Sequence, residues 1–102
     1  MGNYVLVYHG GGAGSTPEDV DRTMKAWMAW FAELGDALVD GGNPTVRTKL
    51  VSPDGSVTDD PNGPTGYSVI QADSIDAAVE LAKGCPGLAD GTSVQVAETV
   101  RM

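Results

Sequence analysis

Two helical segments, each set between β-forming runs, restrict this 102-residue chain to a short list of folds. The first run, Tyr4-Val5-Leu6-Val7-Tyr8-His9, is rich in β-branched and aromatic residues and reads as a strand. Gly10 to Gly14 breaks it. Thr16 then supplies an N-cap and Pro17 suits the first helical turn. Thr16-x-x-Asp19 has the form of a capping box with Asp in place of Glu. Val20, Met24, Trp27, Met28, Phe31 and Leu34 recur every three or four residues, which makes one apolar stripe on a helix that Gly35 stops.

Ala37 to Asp40 is a short second strand ending at Gly41-Gly42. Thr45 to Val51 and Ser56 to Thr58 flank Pro53-Asp54-Gly55, and Asp-Gly between such runs signals a hairpin. A loop over 59–64 leads to a third main strand, Gly66 to Ala72. Ser74 caps a second helix with Ile75, Ala78, Val79 and Ala82 on one face, ended by Gly84 and Pro86. Thr92 to Val100 alternates and forms the last strand. The whole chain, 1–102, is one domain, since its length suffices for one and not two. Right-handed crossovers through both helices give an α+β, ferredoxin-like βαββαβ sheet with an inserted hairpin. The third main strand then lies between the first and second.

Two helices cover one face of such a sheet. A wet second face should alternate apolar with polar. Here Val5 and Val7 oppose Tyr4, Leu6 and Tyr8, and Tyr67 and Val69 are opposed by Ile70. Both faces at the centre therefore call for burial, and a second copy packed sheet to sheet supplies it. The expectation is a homodimer.

The net charge of −8 disfavours nucleic acid and anionic membranes as partners. The six Lys and Arg form no basic stripe. No stretch approaches the ~18 apolar residues of a membrane span. A single cysteine, Cys85, suits a reducing compartment and reads as a free structural thiol, so a cytoplasmic protein is expected. One histidine and acidic loops without a calcium-loop register argue against a metal site.

Four segments, Tyr4 to Gly10, Leu34 to Gly42, Gly66 to Ala72 and Ala77 to Pro86, resemble in order and spacing those of the YCII-related (YciI-like, DGPF-type) proteins. The resemblance spans nearly the whole chain. It implies a ferredoxin-like subunit in a dimeric α/β barrel, and no settled activity. The family's Asp-Gly-Pro-Phe stands here as Asp59-Asp60-Pro61-Asn62. The family's proposed acid–base pair joins a first-helix His to a second-strand Asp. Asp40 matches the Asp, whereas Met24 stands near the His position.

His9 and Asp40 end parallel strands and are the candidate catalytic residues. With one strand between them, two spacings give a backbone separation of roughly 10 Å, enough for a small ligand between an acid–base His and a carboxylate. Asp40 before Gly41-Gly42 equally suits a turn that bonds its own backbone. Tyr67, Trp30 and Gly10 are candidate ligand-binding residues. Trp30 is offset from the helix stripe by ~60°, which suits a pocket wall or a subunit seam, and core or interface packing suits it as well. The glycine run after His9 lacks the Lys of a P-loop and the spacing of a dinucleotide-binding turn. The expected function is binding of a small organic molecule, with cofactor-free proton-transfer, lyase or hydrolytic chemistry. The alternative is a non-catalytic accessory or ligand-sensing module.

Overall fold

The alternation of β1 (Gly2–His9) divides the molecule into layers. Tyr4, Leu6 and Tyr8 point to one side and are buried at 6% exposure or less, while Val5, Val7 and His9 point to the other and stay half-exposed. The computed structural model describes residues 1–11 and 16–101. Its elements are β1, α1 (Pro17–Leu34), β2 (Leu38–Asp40), β3 (Lys49–Val51), β4 (Val57–Asp59), β5 (Gly66–Ala72), α2 (Ile75–Ala82) and β6 (Ser93–Glu98). Short 3-10 turns occupy Gly35–Ala37 and Pro86–Asp90.

The main sheet has the order β2-β5-β1-β6, with β5 antiparallel to both β1 and β2 and β6 antiparallel to β1. This is the ferredoxin-like α+β arrangement, with β5 between β1 and β2 as expected. Leu6 and Ile70, both fully buried, sit on adjacent strands at its centre. Burying such a side chain contributes about 1.5–3 kcal/mol. Both helices lie on the face of Tyr4, Leu6 and Tyr8, where Trp30, Leu34, Ala78 and Ala82 complete the core.

Local chemistry starts both helices. The Thr16 hydroxyl accepts from the Asp19 amide at 3.1 Å, and the Ser74 hydroxyl accepts from the Ala77 amide at 3.1 Å. The long stripe of α1 closes only at its far end. Trp30 and Leu34 are buried, whereas Val20, Met24 and Met28 are exposed. On α2 the stripe is narrower than expected, with Ala78 and Ala82 buried and Ile75 and Val79 exposed.

Several boundaries differ from the sequence reading: β1 starts at Gly2 rather than Tyr4, and β6 covers Ser93–Glu98 rather than Thr92 to Val100. Ala37 belongs to a 3-10 turn, because Gly35 (φ +54°) leaves the helix through a tight reversal. Residues 45–48 are irregular, and the hairpin strands are short, since β3 and β4 pair only over Lys49–Val51 and Val57–Asp59. The turn over Pro86–Asp90 was not foreseen. Pro86 starts it and Gly91, in the left-handed region at φ +86°, ends it.

The hairpin turn follows its Asp-Gly signal. The Asp54 carboxylate accepts from the Ser56 amide at 2.9 Å and the Ser56 hydroxyl at 2.7 Å, and these bonds lower its pKa. Yet β3 and β4 form their own two-stranded sheet. Val46, Leu50, Val51 and Val57 on and beside them are exposed. The radius of gyration, 14.8 Å, exceeds the ~13 Å of a compact chain this long, and the molecule measures 43 × 40 × 18 Å. The flat outline fits a hairpin held away from the two-layer body.

Candidate functional site

One side of α1, from Val20 to Phe31, forms one wall of a cavity of about 610 Å³. Val20, Thr23, Met24, Trp27, Met28 and Phe31 come from α1. The opposite wall is the edge of the sheet where β1 ends, β2 has just ended and β5 begins: Tyr8, Gly10 and Gly11, then Gly41 to Pro44, then Thr65 to Ser68. Gly87, Asp90 and Thr92 close one end. A space this size, largely apolar with a few polar groups, falls in the range of small-molecule sites.

Glycines shape the sheet wall. Gly42 has φ +72°, and a Cβ there would lie 1.8 Å from the Tyr67 carbonyl oxygen, so no other residue fits this close approach. Gly66 lies opposite Tyr8 in the β1–β5 register and leaves room for the Tyr8 ring.

Tyr8 and Ser68 are the buried polar groups of the wall. The Tyr8 hydroxyl donates to Ser68 Oγ at 2.8 Å, and Ser68 Oγ donates to the Gly41 carbonyl at 2.8 Å. Burial pushes the Tyr8 phenol up to about 12, against the lowering effect of the Ser68 bond. The Trp27 ring meets Tyr8 edge to face at 4.9 Å and Phe31 at 5.9 Å. Such pairs add about 0.5–1.5 kcal/mol each beyond the area they bury. Asp90 is the one carboxylate among the described lining residues, and no Lys, Arg or His is among them.

The sequence-derived candidates separate. His9 alternates with Tyr8 and faces away from the helices, with its Nε2 3.2 Å from Gln95 Oε1. Asp40 accepts from the Gly42 amide at 2.8 Å, the local turn bond open to it from sequence. Asp40 pairs with Val69, which pairs with Val5, four residues before His9. Four strand rises and two strand spacings put their backbones roughly 16 Å apart, not 10 Å. β2 ends part-way along the sheet: a regular ladder from the Leu38–Ile70 pair would already leave Asp40 level with Leu6, and the shift between Leu38 and Asp40 adds one residue more.

Tyr67 and Gly10 do line the cavity. The Tyr67 phenol oxygen accepts from Asn43 Nδ2 at 3.3 Å. Trp30 does not line it. It is 4% exposed, in the core, and Trp27 takes the wall position. Gly12 to Gly14, part of the glycine run read from sequence, lie outside the described residues.

Tyr8, Ser68 and Met28 were not singled out as site residues from sequence. One signal was present: in the alternation of β5, Gly66, Ser68, Ile70 and Ala72 share the buried face, and Ser68 is the only polar side chain among them. A buried hydroxyl needs a partner, and Tyr8 on the adjacent strand is one step diagonal to it.

A second depression, about 640 Å³, lies at the base of the hairpin between residues 45–49 and 59–65. It is bordered by exposed Arg47 and by the Lys49–Asp59 ion pair at 3.0 Å. Cys85 is buried, and burial raises its thiol pKa, which suits an unreactive structural thiol. No described helix is long and apolar enough to cross a membrane.

No family model matches the chain. No curated protein matches it. Among solved structures, the chain is similar to the 5-chloro-2-hydroxyhydroquinone dehydrochlorinase of Burkholderia phenoliruptrix AC1100, in complex with 2,5-dihydroxybenzoquinone. The TM-score is 0.59 at 21% identity, over 97% of this chain and 95% of that one. At this identity the likeness establishes the shared fold.

Proposed function

We propose that this protein binds a small ring-bearing organic molecule in the cavity between one side of α1, from Val20 to Phe31, and the strand-end edge of the sheet. The cavity carries the reading. It holds about 610 Å³, its α1 wall is rich in Met and aromatic side chains, and Met adapts well to varied apolar shapes. The similar dehydrochlorinase holds a six-membered oxygenated ring, which agrees with a site of this kind.

The chain is further proposed to be a YCII-type subunit in a homodimer. Val5, Val7, Val69 and Tyr67 are half-exposed on the sheet face that no helix covers. Pairing two such faces would bury them and build a barrel. Light scattering then reads about 21 kDa, twice 10.5 kDa. A stable species near 10.5 kDa contradicts the dimer.

Non-catalytic ligand sensing has one specific support: the described cavity wall offers no His or Lys to move a proton. The catalytic version, without a cofactor, relies on His9 and Asp40. Because His9 is on the open face, its chemistry would belong to the seam between protomers. Amide NMR during titration with small aromatic alcohols tests the site. Shifts centred on Trp27, Gly42 and Ser68 support the cavity. Shifts confined to Val5, His9 and Gln95, or none, refute it.

A further inference from the structure

We propose that the Tyr8 side of the cavity presents a hydrogen-bond acceptor, and that it therefore selects a neutral ring carrying a hydroxyl or N–H group. The proposal rests on the small-molecule reading above and gives that site a polarity.

The direction of the hydrogen-bond chain carries the inference. The Gly41 carbonyl has lone pairs and no hydrogen, so the Ser68 hydroxyl, 2.8 Å away, must donate to it. That uses the only hydrogen on Ser68 Oγ. Its contact with the Tyr8 hydroxyl at 2.8 Å is then made by the Tyr8 hydrogen. Both hydroxyl hydrogens are thus committed, and what remains on Tyr8 is a lone pair. Burial keeps the phenol protonated up to about 12, so this order holds throughout the neutral range. Tyr8, Ser68 and Gly41 all line the cavity.

A ligand ketone, ether or carboxylate would meet lone pair against lone pair there. A hydroxyl or N–H would find an acceptor. The remaining chemistry narrows the class. Trp27, Phe31, Met24 and Met28 suit a flat apolar ring. No cation is among the described lining residues, and Asp90 disfavours an anion.

Three rings of similar size test this by calorimetric titration at neutral pH: 2-naphthol, 2-methoxynaphthalene and 2-methylnaphthalene. The wild-type protein should bind 2-naphthol about tenfold more tightly than its methyl ether, the effect of one hydrogen bond against a buried lone-pair clash. Tyr8→Phe removes the acceptor and should level the three affinities. Ser68→Ala frees the Tyr8 hydrogen to turn toward the ligand, and should move the preference toward 2-methoxynaphthalene. Equal wild-type affinity for the naphthol and its ether overturns the acceptor assignment while leaving the cavity reading intact. So does a naphthol preference that survives Tyr8→Phe. If none of the rings binds, the cavity reading fails and the polarity with it.

Discussion

The two helices cover the same face of the sheet in different ways. α2 meets β5 and β6 through Ala78 and Ala82, both buried at 5% exposure or less. Small side chains let its backbone come close and leave no gap. α1 presents Trp27, Trp30 and Phe31, and it rests on the Pro86–Asp90 turn more than on any strand. Large side chains hold it off the sheet. One side of it fills the space with Trp30 and Leu34. The side running from Val20 to Phe31 does not, and Met24 and Met28 stay 60% and 68% exposed. Side-chain size thus converts one helix into core and one side of the other into a cavity wall.

The comparison is broken most strongly within α1. Trp30→Ala should destabilise the protein by about 3–5 kcal/mol, because it empties a filled core position. Met24→Ala, six residues earlier on the same helix, should change stability by no more than about 0.5 kcal/mol. Urea unfolding measures both, and equal costs would mean that the cavity side of α1 is as tightly packed as the side that carries Trp30. Ala78→Leu tests the α2 side. It should cost about 1–3 kcal/mol by overpacking a fully closed contact, and a neutral result would show an unrecognised gap beneath α2.

Tyr8 sharpens the contrast through pH. Its folded-state pKa of about 12 lies above the unfolded value of about 10. The raised value means that its contribution is fully present below pH 10 and is lost as pH rises through about 12. The loss is on the order of 2 kcal/mol. Thermal melting of the wild type should therefore fall more steeply between pH 9 and 12 than that of Tyr8→Phe. Parallel curves would place the phenol in water rather than in the wall.

The fold was largely legible. Caps at Thr16 and Ser74, the alternation in β1 and β5 and the Asp-Gly hairpin each have local causes, and those causes operate in the sequence itself. The two-faced apolarity of β1 was equally plain. The site was less legible. His9 and Asp40 end parallel strands, yet β2 ends part-way along the sheet, with Asp40 level with Val5, and no local pattern encodes how far one strand runs beside another. Periodicity puts Trp27 on the apolar stripe and Trp30 beside it, with core packing and a pocket wall both open to Trp30. The structure buries Trp30 in the core and leaves Trp27 half-buried, packed against that core on one side and lining the cavity on the other. Helical spacing gives an angle around the axis and says nothing of the distance to the neighbouring layer.

A crystal structure of the protein with 2-naphthol tests the central claim most directly. One ring per protomer is expected between Met24 and Trp27 on one side and Gly42 and Ser68 on the other, with its hydroxyl toward Tyr8. A ring seated on the open sheet face beside His9 and Gln95, with the α1 cavity empty, would contradict it.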